Sequence, residues 1–249
     1  MIVLKSEREI KQMLEACKIS AEALKVAGEA VAPGVSTWEI DRIARRFIES
    51  KGARPTFLNY NGFPAAACIS INDEVIHGIP DKAHILKSGD IVSIDLGACI
   101  NGYTGDTAAT FACGEVSAEA KRLMETTEAS LYEGIAKAVP GGRLGDVGSA
   151  VQAYCEERGY SVVRDYTGHG VGASLHEDPA VPNYGTPGRG VRLVPGMTIA
   201  IEPMINEGKA AVKTLSNGWT VKTTDGKLSA HFEHTVAITS SGPLIMTKL

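Results

Sequence analysis

A shift of 107 residues lays one half of this chain on the other. Val31-Ala-Pro-Gly34 falls on Ala138-Val-Pro-Gly141, and the same shift carries Ile40 onto Val147, Phe47 onto Tyr154, Glu49 onto Glu156 and Gly52 onto Gly159. Further on it lays Leu86-Lys-Ser-Gly-Asp-Ile-Val-Ser-Ile-Asp95 on Leu193-Val-Pro-Gly-Met-Thr-Ile-Ala-Ile-Glu202 with no net gap. Chance likeness of helix ends and strands would not hold register over that distance, so two copies of one supersecondary unit are implied. We read residues 1–249 as a single domain with an internal repeat, about 5–113 and about 114–249.

Each half reads as two helices followed by strands. Ser6 with Glu9 and Ser36 with Glu39 are S-x-x-E capping boxes. Behind the first, Ile10, Met13, Leu14, Cys17, Leu24 and Val31 recur at helical spacing until Pro33-Gly34. Behind the second, Ile40, Ile43, Ala44, Phe47 and Ile48 run to Gly52. The second half repeats this with Leu123, Met124, Leu131 and Ile135, then Val147, Val151 and Tyr154, closing at Gly159. Strands are expected at Ile91–Leu96, Tyr103–Phe111, Thr198–Ile201 and Glu233–Ile238. The fold class is α+β, with strands from both halves meeting at one centre.

That centre is acidic. The shift carries Asp95 onto Glu202, each ending an apolar strand, and Asp106-Thr-Ala-Ala-Thr-Phe resembles Glu233-His-Thr-Val-Ala-Ile. Asp95 and Asp106 are 11 residues apart and Glu202 and Glu233 are 31 apart, so the second half has gained a loop of 20. Asn101-Gly102 is a strong two-residue hairpin signal. It sets Ile100 opposite Tyr103 and Gly97 opposite Asp106, which places Asp95 diagonally across from Asp106 on the same face. Taken singly, each acid reads as a turn residue or a cap. As a repeat-related quartet on apolar strands, the four would repel unless a cation sits among them.

Histidine adds a nitrogen donor. His169 lies in Tyr166-Thr-Gly-His-Gly-Val-Gly172, His176 follows in Leu175-His-Glu-Asp-Pro179, and His77 ends an apolar stretch in Asn72-Asp-Glu-Val-Ile-His77. Neither HExxH nor a zinc-finger spacing occurs, and a mostly oxygen donor set suits Mn²⁺, Fe²⁺ or Co²⁺ as well as Zn²⁺. No G-x-S-x-G elbow or activated cysteine supports a serine or cysteine nucleophile. The charge balance, 25 Lys+Arg against 29 Asp+Glu, builds no basic stripe for DNA. No apolar run is long enough for a membrane, and Lys5, Glu7 and Arg8 interrupt any signal-peptide core. Five scattered cysteines (Cys17, Cys68, Cys99, Cys113, Cys155) without a CxxC pair suit reduced thiols in the cytoplasm.

The ordered set His77, Asp95, Asp106, His169, His176, Glu202, Glu233, with the strings SIDLGACINGYTGDTAATF, TGHGVG, IEPM and FEHT, strongly resembles the methionine aminopeptidases. The similarity runs from about residue 5 to the C-terminus. With 26 residues between His176 and Glu202 there is no type II helical insertion, and no zinc-binding extension precedes the first helix, so the resemblance is to the bacterial type I group. It implies the pita-bread fold, two pseudo-symmetric α/β halves around a dinuclear metal site, and one catalytic domain over 1–249. It also implies metal-dependent removal of the N-terminal methionine from nascent proteins and peptides. A small uncharged second residue is preferred, and a bridging hydroxide attacks the scissile carbonyl.

By the same resemblance Asp95, Asp106, His169, Glu202 and Glu233 hold two divalent ions (Co, Mn, Fe(II) or Zn), with Asp106 and Glu233 bridging. His77, His176 and Glu202 are the catalytic residues, Glu202 shuttling a proton and the histidines contacting peptide and oxyanion. Phe57, Tyr60, Phe63, Cys68, Leu175 and Trp219 line the methionine pocket, and Asn72, Glu74 and Ser229 mark a monovalent-cation site. The expected setting is a cytoplasmic monomer working near the ribosome on nascent chains, without DNA or membrane. Phe57 stands where the family has cysteine, Phe63 where it has tyrosine, Leu175 where it has phenylalanine and His231 where it has glutamine; the lining stays apolar throughout. Two rivals remain: a proline-specific aminopeptidase on the same fold, which usually carries an extra N-terminal domain, and a silent peptide-binding module, which typically loses metal ligands.

Overall fold

Reciprocal caps start the first two helices. The Ser6 hydroxyl accepts from the Glu9 N–H at 3.3 Å while the Glu9 carboxylate accepts from the Ser6 N–H at 2.7 Å, opening α1 (Glu7–Glu29). Ser36 and Glu39 repeat the exchange at α2 (Thr37–Ser50). In the second half Ser117 caps α3 (Ala118–Lys137), and the Asp146 carboxylate accepts the Arg143 N–H at the head of α4 (Leu144–Glu156). The computed structural model describes residues 1–248.

The expected inward stripes are mostly buried: Met13, Cys17 and Leu24 on α1, Ile40, Ala44 and Ile48 on α2, Leu123, Leu131 and Ile135 on α3. α4 buries Val147 and Val151, but Cys155 rather than Tyr154 takes its third core position, and Met124 is only half-buried. α1 ends four residues before Pro33, because Ala30 already caps it.

Nine of the strands form one antiparallel sheet that both halves share, and two three-stranded sheets flank it. Its path runs Arg54–Pro55, Ile91–Ile100, Tyr103–Ala112, Glu233–Thr239, Thr198–Ile201, Gly168–Gly170, Glu177–Val181. Ala67–Ile71 pairs Ile91–Ile100, and Gly242–Ile245 pairs Glu233–Thr239. The halves join where Glu233 faces Ala108 and His234 faces Thr107. Each half packs its helices into its own apolar cluster. One is built around Ile40, Ile48, Ile69 and Leu96, the other around Leu123, Leu131, Val147 and Ile199. Each such side chain contributes roughly 1.5–3 kcal/mol on burial.

The loop gained by the second half folds as strands Met204–Asn206, Val212–Thr214, Val221–Thr223 and Ser229–His231. Val212–Thr214 and Val221–Thr223 make a hairpin that docks on Glu74–Ile76, beside His77, and carries Trp219 at its turn. Among the described residues no helix is long and apolar enough to cross a membrane.

A charge hidden in α2 escapes the sequence reading. Asp41 lies within the buried stripe, 6% exposed, and its Oδ1 accepts the N–H groups of Ala66 and Ala67 at 2.8 and 3.0 Å. Burial holds its carboxyl above the usual carboxylate range, the two backbone bonds opposing that shift. The pairing ties α2 to the segment that leads from Phe63 into the Ala67–Ile71 strand. Asp41→Ala leaves two buried donors unsatisfied, and we expect a loss of about 1–3 kcal/mol, read as a lower midpoint in thermal or urea unfolding.

Candidate metal centre

Strand register assembles the acids. Asn101 and Gly102 take φ of 54° and 80°, and the hairpin they close pairs Ile100 with Tyr103, Gly97 with Asp106 and Asp95 with Ala108. Ala108 pairs in turn with Glu233, so Asp95 and Glu233 share one row across three strands. His234 faces Ile201, and continuing that register by one residue brings Glu202 beside Glu233. Asp106 stands one diagonal away from Asp95. A Cβ at Gly97 would lie 2.3 Å from Thr56 Oγ1 and 3.3 Å from Asp106 Oδ1, so glycine there keeps the space beside Asp106 open.

His169 enters from the Gly168–Gly170 strand. Its Nε2 lies 3.6 Å from Asp106 Oδ2 and 3.5 Å from Glu202 Oε1, and its Nδ1 is 2.8 Å from the Gly170 carbonyl oxygen. That carbonyl fixes the proton on Nδ1 and turns the Nε2 lone pair toward the acids. Asp106, His169 and Glu233 each offer a donor atom within 4.8 Å of the others'. Asp95 and Glu202 border the same cavity.

The electrostatics are one-sided. Burial first, then Asp106, holds Asp95 well above the usual carboxylate range; burial pushes Asp106 up to about 8. Burial and the neighbouring acids raise Glu202 and Glu233 in the same direction. Burial lowers His169 and His77 to about 4, with His176 adding to both shifts, and lowers His176 itself. No lysine or arginine is among the residues lining the cavity. Asp95 Oδ1, Asp106 Oδ1 and Glu233 Oε1 are buried without a hydrogen-bond partner among the described residues. Orphaned carboxylate oxygens around a neutral imidazole are the donor set of a divalent cation, and the residues fit one.

The cavity, about 250 Å³, has this acidic floor at one end and an apolar end made by Phe57, Phe63, Cys68, Leu175 and Trp219. Phe57, Phe63, Cys68 and Leu175 are buried, and Trp219 meets Phe63 edge-on at 5.2 Å. Tyr60 borders the opening, its hydroxyl 2.8 Å from His176 Nδ1. The His176 ring lies 4.2 Å from that of His169. His77, at φ 58°, sits between Trp219 and Tyr166. All thirteen residues singled out for catalysis, metal and pocket therefore border one cavity, joined by Asn61, which the sequence reading passed over. Asn61 follows another left-handed asparagine, Asn59, a turn signature visible in Asn59-Tyr-Asn-Gly62.

His231 lies deeper. It is fully buried, and its Nε2, 3.5 Å from Glu202 Oε2, has no hydrogen-bond partner among the described residues. Away from the cavity, Ser229 donates its N–H to the Asn72 carbonyl at 2.8 Å, and the Glu74 carboxylate accepts the Ile71 N–H at 3.0 Å.

A cation-ready cluster of acids and imidazole, shared between two repeat-related halves and opening on an apolar pocket, defines a metal-dependent enzyme. The pattern of Metallopeptidase family M24 matches residues 11–240, and the chain belongs to that family. It is 54% identical over 247 residues to a methionine aminopeptidase of Clostridium acetobutylicum, covering 99% of each chain. It is 52% identical to methionine aminopeptidase 1 of Bacillus subtilis over the whole of both. The crystal structure of methionine aminopeptidase from Thermotoga maritima superposes with a TM-score of 0.98 at 45% identity over all of both chains. A prolidase from Pyrococcus furiosus shares the architecture at TM-score 0.80 and 26% identity, but the chain spans only 66% of its length. The fold is the pita-bread fold of this family.

Metal removal should expose the charge problem. Each acid's folded pKa is raised, so between about pH 5 and about pH 8 the metal-free folded state holds protons that the unfolded state has released. Stability then falls as pH rises, by about 1.4 kcal/mol per pH unit for each proton retained. The neutral buried histidines oppose this trend below about pH 7, so unfolding midpoints of chelated protein should drop from about pH 7 to about pH 8, and the gap to manganese-loaded protein, which shares those histidines, should widen. A gap that does not change with pH would contradict the assignment.

Proposed function

We propose that this protein removes the N-terminal methionine from peptides and nascent proteins whose second residue is small and uncharged. The observation that carries the reading is the pocket itself. Its apolar end, lined by Phe57, Phe63, Cys68, Leu175 and Trp219, shares one cavity with the acidic floor, so a chain whose first side chain is seated there presents its first peptide bond to the metal ligands. Identity of 52–54% over full length to proteins named methionine aminopeptidase supports the same reading.

Asp95, Asp106, His169, Glu202 and Glu233 would hold two divalent ions (cobalt, manganese, iron(II) or zinc). Such ions supply a lowered pKa for water and a polarised carbonyl. The remaining work falls to the chain. Phe57, Phe63, Cys68, Leu175, Tyr60 and Trp219 bind the methionine side chain and exclude water around it. Burial worth roughly 1.5–3 kcal/mol sets its contribution to selectivity. Glu202, which borders the cavity with Oε1 3.5 Å from His169 Nε2, is placed to take a proton and hand it to the leaving amine. His176 Nδ1 lies 2.8 Å from the Tyr60 hydroxyl; with that hydroxyl donating, the ring's own proton would sit on Nε2 as a donor to the scissile carbonyl oxygen. His77, kept neutral by burial, supplies a second contact to the peptide. Asn72 in the turn after Ile71, Glu74 opening the next strand, and Ser229, whose N–H meets the Asn72 carbonyl, would hold a monovalent cation. We assign the protein to the cytoplasm, as a monomer acting on chains emerging from the ribosome.

Purified protein loaded with manganese or cobalt should release methionine from Met-Ala-Ser and leave Xaa-Pro peptides intact. Preferential cleavage of Xaa-Pro would replace this reading with the proline-specific one, and failure to bind a divalent ion would favour a silent binding module. Within the reading, Tyr60→Phe should lower kcat by about 3- to 10-fold with a smaller change in KM, because His176 loses the hydrogen bond that sets its tautomer.

A further inference from the structure

Lys5 and Glu177 form an ion pair that the chemistry above leaves unused. Their side chains are 4% and 12% exposed, with Nζ and Oε2 2.5 Å apart across 172 residues of sequence. Among the described residues the other lysine and arginine pairs are more open to solvent, Lys121 with Glu125 for example at 72% and 65%. Burying two charges is a poor way to add stability, and its best-attested use is to fix one arrangement among several.

The pair has a definite place to act. Lys5 is anchored by its own N–H to the Gly196 carbonyl at 2.7 Å. Glu177 follows the 173–176 loop, and its Oε1 reaches back to accept the Ser174 N–H at 3.2 Å. At the other end of the loop Gly172 donates to the Ser174 carbonyl at 3.0 Å and accepts from the Thr104 N–H at 2.8 Å. A Cβ at Gly172 would lie 2.5 Å from Lys5 Cε and 2.6 Å from Glu177 Oε1, so the pair is wedged against that backbone. Between these fixed ends stand Leu175, which closes the apolar pocket, and His176, which lies over His169 and meets Tyr60.

We infer that the Lys5–Glu177 pair is a positioning clamp that sets the 173–176 loop over the metal centre, and through it both the methionine-pocket wall and the reach of His176. The inference rests on the aminopeptidase reading above. It makes Lys5 and Glu177 positioning residues: neither borders the cavity, and both act through Leu175 and His176.

Trp38 and Trp219 are the only tryptophans, so a Trp38→Phe background leaves Trp219 as a fluorescent reporter inside the pocket. In that background, with manganese content measured for each protein, methioninol binding and Met-Ala-Ser hydrolysis are compared for the parent, Lys5→Met, and the double variant Lys5→Met/Glu177→Met. Lys5→Met should weaken methioninol and raise KM by about 10-fold, with unchanged manganese content. The double variant removes both buried charges and should unfold near the parent's midpoint, yet stay about 5-fold weaker because the Ser174 N–H has lost its acceptor. Parental binding and kinetics in either variant would overturn the clamp. So would losses that merely track the folded fraction by circular dichroism or a loss of manganese. A parent that binds methioninol without cleaving Met-Ala-Ser would instead overturn the aminopeptidase reading and leave the clamp standing.

Discussion

Four carboxylates gathered on one sheet face, with no lysine or arginine among them, govern the rest of this structure. Such a cluster is stable only if protons or a cation offset it, and the fold makes both solutions available. Without metal, Asp95, Asp106, Glu202 and Glu233 are all pushed toward their protonated forms. In the metal-bound form proposed above, the same oxygens would become ligands, and their unsatisfied hydrogen-bond capacity would turn from a cost into binding energy. The scaffold around them must therefore be rigid. The acids ride on long paired strands clamped by helices on the two apolar cores.

Two similar halves let a short chain build such a site. One half supplies an acid pair on a tight hairpin, the other supplies its counterpart on strands joined by a longer excursion, and pairing of Glu233 with Ala108 zips the two together. The symmetry is broken where specificity is needed. The excursion carries Trp219 to the pocket and docks beside His77, while its counterpart in the first half is only the Asn101-Gly102 turn. Acid geometry is thus set by what the halves share, and side-chain selectivity by where they differ.

The parts of this arrangement legible in sequence are those fixed by local chemistry or short register. The two capping boxes, the Asn101-Gly102 hairpin and the Gly97–Asp106 pairing follow from neighbours a few residues apart, and each appears in the structure as expected. What was not legible depends on partners far along the chain. Asp41 looks like an ordinary polar position on an amphipathic helix until Ala66 and Ala67 present their N–H groups to it. Lys5 looks like an exposed N-terminal lysine until Glu177 arrives from 172 residues away. The strand at Ala67–Ile71 hid for another reason: buried on both faces, it lacks the alternation that marks a strand. The pocket residues came through the family resemblance, because no periodicity announces a cavity lining.

The histidines complete the charge argument. Imidazoles beside acids ordinarily ionise and balance them, yet burial holds His77 and His169 near 4 and His231 near 3. Neutral rings leave the acids uncompensated, which preserves the cluster's appetite for a cation. They also keep His169 Nε2 free as a lone-pair donor and leave His176 able to donate a hydrogen bond without carrying charge. A protonated imidazole in any of these places would compete with the metal for the same carboxylates. Keeping the rings dry is therefore part of the same design as keeping the acids together: one environment suppresses the protein's own cations and so reserves the site for an external one.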